Sequence, residues 1–443
     1  MKCLHALLSL CALPLALGAC AGAASRSGAA APRPMATAPR PIATALSLDA
    51  RLLRMADARR ADTLLLDSVL YTPEPTLLAQ SRRARAALLI GQLQIRSRYG
   101  AARRLLVHAD TAVAAAAAFA LGLARDTASV PALARALEGA TDVVAAEAAW
   151  SLGRIGEPAR AALVNGLRGD DDVRESTQRG SVRGPQVRAA LLFAVSALRP
   201  VPTADVVPYL RDDDASVSFA AAYAIARPRA VSGTRALLAL SSHPDAMVRV
   251  QVAAGAAHNA TGDSLAPQAM AVLRVLHRDG DARVRVQATR ALASHTTQAN
   301  VRDLVLERAR DSMAAVRVSA AEVLAPLIPR DSLTWRTLFN SDTTFMVRRA
   351  LLDGAVRNSA LLDALDAWRS NPDPWLRGAA LELSANVPDA LPPLLRLAWA
   401  RRDRDERVRA AAVSALGSSG DSARVRDTLR AYCLLYTSDA ADE

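Results

Sequence analysis

Few residues of this 443-residue chain have types and spacings that could do chemistry. The four cysteines are Cys3, Cys11, Cys20 and Cys433. The long middle therefore holds no thiol, which excludes a disulfide scaffold and Cys-based metal sites there. His5 lies at the start, and His108, His243, His258, His277 and His295 are dispersed with no His-x-x-His or His-Glu-x-x-His. Zinc spacing is missing, and solvated single histidines are expected. Asp170-Asp171-Asp172 and Asp212-Asp213-Asp214 suggest Ca²⁺, but the EF-hand spacing and its terminal Glu are absent, so both triplets read as helix caps. No Gly-x-Ser-x-Gly, P-loop or dinucleotide fingerprint occurs, and Gly153-Arg154-Ile155-Gly156 reads as a helix-to-helix turn. Without a nucleophile–base pair, metal cluster or cofactor loop, the visible chain is expected to catalyse nothing and to need no cofactor. What recurs is an Asp followed shortly by Val-Arg. A guanidinium fork can bond two carboxylates or carbonyls at once, so this pair points to structural ion pairing.

The elements that position these residues occupy only part of the chain. Lys2 followed by the apolar stretch Leu4 to Leu17 reads as a secretory signal over 1–19. Leu17-Gly18-Ala19-Cys20 resembles the bacterial lipobox. That resemblance implies lipid attachment at Cys20, and Ala21, where an Asp would favour inner-membrane retention, implies an outer-membrane lipoprotein facing the periplasm. Residues 20–45, rich in Ala, Pro, Ser, Gly and Arg without periodicity, read as the lipidated Cys and a flexible tether. The last eleven residues, Cys433 to Glu443, break the periodicity abruptly and resemble a translated sequencing adapter, so the natural chain is expected to continue past Tyr432.

Between these ends one phrase repeats. It is clearest at Asp245 to Ala253, Asp281 to Ala288 and Asp405 to Gly417. Aligning its Arg position gives Arg83, Ala114, Ala145, Arg188, Ser218, Arg249, Arg285, Arg317, Arg348, Arg377 and Arg409, with gaps near 31 residues except one of 43. The long gap is a polar insertion at about 169–185. Each phrase has a helical apolar face, as at Val284, Ala288 and Leu292. Asp373-Pro374 is a helix start, and Gly122, Gly153 and Gly417 stand where helix stops are expected. A second amphipathic segment separates successive phrases, as at Val130 to Leu137 and Ser264 to Leu276. No sustained strand alternation appears.

A lone helical hairpin cannot bury both of its faces, so neighbours must stack. The pattern resembles the HEAT-repeat family, of the armadillo-like solenoids. It implies an all-α, right-handed α-α superhelix of about eleven hairpins over 46–432. The resemblance further implies that each Asp caps the second helix of its repeat and that Arg83, Arg188, Arg249, Arg285, Arg317, Arg348, Arg377 and Arg409 form a half-buried ladder, each reaching the capping Asp of a neighbour.

Composition fits this reading and limits function. The chain is 51% hydrophobic but 4% aromatic, which favours closely packed helices over an all-β enzyme. Its single Lys is Lys2 and 54 residues are Arg; without the signal and the tail the net charge is +14. An export signal argues against nucleic acid as partner, despite the charge and a fold shared with HEAT-like DNA glycosylases, and favours acidic proteins or anionic polymers. Likeness to HEAT-like bilin lyases rests on fold alone. The leading expectation is a membrane-anchored periplasmic scaffold that binds protein partners on a concave repeat surface, with the membrane reached through Cys20. The alternative comes from Leu52 to Arg60 followed by repeats on an exported lipoprotein, which resembles bacterial proteins carrying a cyclophilin-type peptidyl-prolyl isomerase domain. That catalytic domain would lie beyond residue 432. Trp150, Trp335, Trp368, Trp375 and Trp399 are expected in core or groove packing, with Trp375 the candidate exposed hot spot.

Overall fold

The computed structural model describes residues 47–71, 76–175, 183–228, 230–257, 264–296, 300–327, 333–357, 371–384 and 403–417. Contacts divide the chain into Met1–Ser47 and Leu48–Glu443. The first unit contributes only Ser47 to the described residues, so Cys20, the tether, the adapter-like tail, Trp368 and Trp399 lie outside them. The second unit is an all-α solenoid with no strand among the described residues.

The chain opens with α1 (Leu48–Asp57) and α2 (Thr63–Leu70). The eleven phrase helices are α3 (Leu77–Gln92), α5 (Thr111–Ala124), α7 (Asp142–Ile155), α9 (Pro185–Val195), α11 (Ala215–Ala226), α13 (Ala246–Ala256), α15 (Ala282–Leu292), α17 (Ala314–Leu324), α19 (Phe345–Arg357), α20 (Pro374–Ser384) and α21 (Glu406–Gly417). Each packs on the next, forming one continuous row. Between them run α4 (Tyr99–Leu105), α6 (Val130–Gly139), α8 (Arg160–Glu175), α10 (Thr203–Val206), α12 (Val231–Leu238), α14 (Ala266–Leu276), α16 (Val301–Arg308) and α18 (Leu333–Ser341), each against a neighbouring phrase helix or the turn before it. No helix among the described residues is long and apolar enough to cross a membrane.

Local chemistry starts each phrase helix. Asp110, Asp214, Asp245 and Asp281 have extended backbone, and their carboxylates accept first-turn backbone N–H groups that the helix itself leaves unpaired. The first buried residue, just before the Arg position, is Val113, Val144, Val187, Val217, Val248, Val284 or Val316. The residues four and eight further on are buried with it, as in Val284, Ala288 and Leu292, so one side of the helix faces the next helices all along the row.

Two expectations about loops are corrected. Gly169 to Glu175 continue α8, so the Asp170–Asp172 triplet lies late in a helix rather than ahead of one. Gly122 and Gly153 lie inside α5 and α7. The stop after α7 is Gly156, at φ +83°, and α5 ends on left-handed Arg125, at φ 50°.

Candidate functional site

The recurring arginines do more than reach forward. In α13 the Arg249 Nη1 donates to the carbonyls of His243 and Pro244 in its own loop, at 2.7 and 2.9 Å. Its Nε and Nη2 donate to both carboxylate oxygens of Asp279, at 2.7 and 2.8 Å. Arg285 does the same with Asp279 and Gly280 behind and Asp311 ahead, and Arg377 with Asn371 and Pro372 behind and Asp403 ahead. Arg317 bonds its own loop, Asp342 and the Thr344 hydroxyl, and Arg188 bonds the Arg183 carbonyl and Asp212. One guanidinium thus ties the loop before its own helix to the loop before the next.

The partner carboxylate differs from the one expected. It stands two residues ahead of the cap rather than at the cap: Asp279 before Asp281, Asp311 before Met313, Asp342 before Thr344, Asp403 before Asp405 and Asp212 before Asp214. Each of these carboxylates also accepts the backbone N–H two residues on, which fixes the loop that presents it. Burial alone would raise the carboxyls of Asp279, Asp311 and Asp342, but the arginine and backbone donors outweigh it and hold them below the ordinary carboxylate range. At Asp403 the Arg377 hydrogen bonds are the largest effect, again downward.

Two arginines of the expected ladder behave differently. Arg83 is buried but lies seven residues past its cap Thr76, against four elsewhere, and donates to Gln80 on its own helix at 3.0 Å. Arg348 bonds the Phe339 and Asp342 carbonyls and lies 5.6 Å from the centre of the Phe339 ring. Arg409 makes the own-loop half of the clamp, to the Asp403 and Arg404 carbonyls, and the loop ahead of it lies outside the described residues.

The histidines also need correction. His277 and His295 are fully buried rather than solvated. His277 bonds the Arg274 carbonyl at 2.8 Å, and His295 the Ala256 carbonyl at 2.9 Å. His108 and His243 are half-buried and accept the N–H of Asp110 and Asp245 through Nδ1, taking the loop position that Asp279 holds elsewhere. No group of three His, Cys, Asp or Glu that could hold a metal ion occurs among the described residues.

The accessible face of the phrase helices carries a feature not anticipated from the sequence. Five residues past each Arg position stands a half-buried or exposed side chain: Leu88, Phe119, Trp150, Phe193, Tyr223, Ala254, Arg290, Glu322, Asp353, Glu382 and Ser414. Its signal in the sequence is the fixed offset of five residues from each Arg position. From α5 to α11 this column is aromatic. Phe119 stacks on Trp150 at 4.6 Å between ring centres, and Phe193 meets Tyr223 edge-on at 5.4 Å. Phe219 adds to the second pair, and Arg154 lies over the Trp150 ring at 4.9 Å. Burial raises the carboxyl of neighbouring Glu147 and, together with nearby Arg125, lowers the Arg154 pKa. From α15 to α20 the column is charged, with Arg290 bonding Glu322 at 3.3 Å. Trp335 is buried against Phe339, whereas Trp375 is 55% exposed, with Arg407 over its ring.

The HEAT-repeat family model matches residues 101–180 and 358–441. Those two stretches are thus similar to HEAT repeats. No curated protein matches the sequence. Among solved structures, a crystal structure of an engineered protein is similar at 20% identity and a TM-score of 0.40, covering 83% of this chain and 97% of that one.

Proposed function

We propose that the chain is a non-catalytic protein-binding scaffold, held at the outer membrane through a lipid on Cys20 and facing the periplasm. The aromatic column of α5 to α11 is the contact surface. Four consecutive repeats place Phe119, Trp150, Phe193 and Tyr223 at one register, half accessible, in a chain that is only 4% aromatic. Side chains that served the core alone would not need this register, because the core of the same helices is already filled from the opposite side. Large flat rings with few rotatable bonds are efficient contact residues. The lipobox-like Leu17 to Cys20 supports the anchoring.

A photo-crosslinking residue in place of Trp150 or Tyr223 is expected to give discrete adducts in envelope preparations. The same residue at exposed Arg235 on α12 is expected to give none. Equal labelling at all three positions would refute the contact surface. Cys20→Ser is expected to move the protein from the membrane to the soluble fraction; retention in the membrane, with no acylated Cys by mass spectrometry of the parent, would refute the anchor.

A further inference from the structure

At one junction where the ladder lacks a rung, a cleft opens. Between α5 and α7 the Arg position is Ala114, and Gly139 stands two residues ahead of the α7 cap Thr141, where other repeats carry the Asp. A cavity of about 710 Å³ lies there, within the range of ligand sites. At the corresponding place between α17 and α19, where Arg317 and Asp342 line the space, the cavity is about 350 Å³. Leu106, Ala114, Ala136 and Val144 make the apolar floor of the larger cleft, and Val107, 89% exposed, forms an open edge.

The ionisable residues that line it are all basic: Arg103, His108 and Arg135. Arg103 is shared with Asp126 at 3.3 Å, and Arg135 has no carboxylate partner among the described residues. His108 accepts the Asp110 N–H through Nδ1, so its neutral tautomer carries the proton on Nε2 and can donate. Of the acids nearby, Asp110 is occupied by the Ala112 and Val113 N–H groups, and the Asp142 carboxylate lies beside Gly184.

We infer that this cleft binds an extended acidic–aliphatic segment of a protein partner. An aliphatic side chain fills the space that a rung would occupy, and a neighbouring carboxylate meets Arg135 and Arg103. The inference rests on the protein-binding reading but uses the N-terminal edge of the helices rather than the aromatic column. Apolar floor and cationic rim together ask for both features in one ligand, and the open edge at Val107 suits a chain lying across the cleft.

The test is fluorescence anisotropy of the full chain with a labelled octapeptide alternating leucine and glutamate. Binding is expected, weakened at least about tenfold when glutamine replaces glutamate and weakened again by added salt. The double variant Ala114→Arg with Gly139→Asp supplies the missing rung; a side chain at Gly139 meets nothing within 4 Å. It is expected to melt no lower than the parent and to lose the peptide. Val107→Asp, on the exposed edge, is expected to fold normally and lose the peptide too, which keeps the test decisive if the double variant folds poorly. Unchanged binding by Val107→Asp, equal binding of the glutamine peptide, or binding of decanoate but not of the peptide would each overturn the inference. Adducts at Trp150 that persist while peptide binding fails would leave the scaffold reading standing and remove only the cleft.

Discussion

The same repeat unit is joined to its neighbour in two different ways. Between α15 and α17 the junction is an ion-paired clamp at the N-terminal ends of the helices, with Arg285 bonded to Asp311 and to two loop carbonyls. Between α5 and α7 there is no clamp, and the helices instead close on each other near their C-terminal ends. A Cβ added at Gly122 would stand 2.7 Å from the Ser151 Cα, and the Ser151 hydroxyl donates to the Ala118 carbonyl at 2.7 Å. Gly91 against Ala120 and Gly153 against Ala194 repeat this close approach in the adjoining repeats. The two regions also differ in what they show to solvent, aromatic from α5 to α11 and charged from α15 to α20. The stacking of a solenoid thus fixes the spacing of its helices but not the chemistry of each junction, and a junction held at one end is free to open at the other.

The largest expected effect of a single change is at a rung. Arg285→Ala leaves the Asp311 carboxylate, 4% exposed, without its main partner. Breaking a buried pair in this way costs about 3–5 kcal/mol, so the melting temperature is expected to fall steeply; a loss no greater than that of Arg26→Ala in the tether would show the clamp to be solvated. Next comes the glycine seam. Gly122→Val forces a side chain against the α7 backbone, and overpacking of this kind typically costs about 1–3 kcal/mol. Hydrogen exchange is expected to show the loosening in α5 and α7 and to leave α15 and α17 protected. Loosening spread evenly over the row would mean that the two junction types are not independent.

Acid separates the two regions without mutation. Free Asp titrates near about 3.9. Asp279, Asp311, Asp342 and Asp403 are held lower in the fold, so their contribution is complete above that pH and is lost as pH falls through the lowered values. Glu307, which bonds exposed Arg278, is held down to about 2 and titrates late in the same descent. The glycine seams are closed by backbone approach and by the Ser151 hydroxyl rather than by a carboxylate pair. Exchange protection corrected for intrinsic rate is therefore expected to fail first from α13 to α19 and in α20 and α21, and last from α3 to α7; the reverse order would break the comparison. The smallest effect is at Glu147. Its carboxyl is raised by burial, so its charged form weighs against the fold above its folded pKa and is relieved below it. Glu147→Gln is expected to raise the melting temperature slightly at pH 7 and to make no difference near pH 4.

The Arg positions and the helix pairs were legible in the sequence because both rest on local periodicity. The carboxylate each arginine would choose was not. Asp281 and Asp279 are equally plausible by spacing, and only the stacking of consecutive loops brings the earlier one within reach of Arg249 while its own backbone bond holds it there. Arg83 shared the pattern of the others, but α3 begins further back at Thr76, which turns that side chain toward Gln80. Gly122 and Gly153 looked like stops because glycine ends helices more often than it joins them, and close approach of two backbones leaves no mark in a single sequence.

By itself, then, the sequence determined the all-α repeat, its period, its caps and its buried column, since each follows from which residues fall on one side of a helix within a few turns. The tertiary structure decided what the repeats do to one another. The forward bonds of Arg188, Arg249, Arg285, Arg317 and Arg377, the bond from buried His295 to the Ala256 carbonyl, the alignment of Phe119, Trp150, Phe193 and Tyr223 into one surface and the cleft beside Ala114 all join residues from different repeats, about 24 to 43 positions apart. Their distances are set by the rotation and rise between stacked helices, a quantity that emerges only when the side chains of both pack.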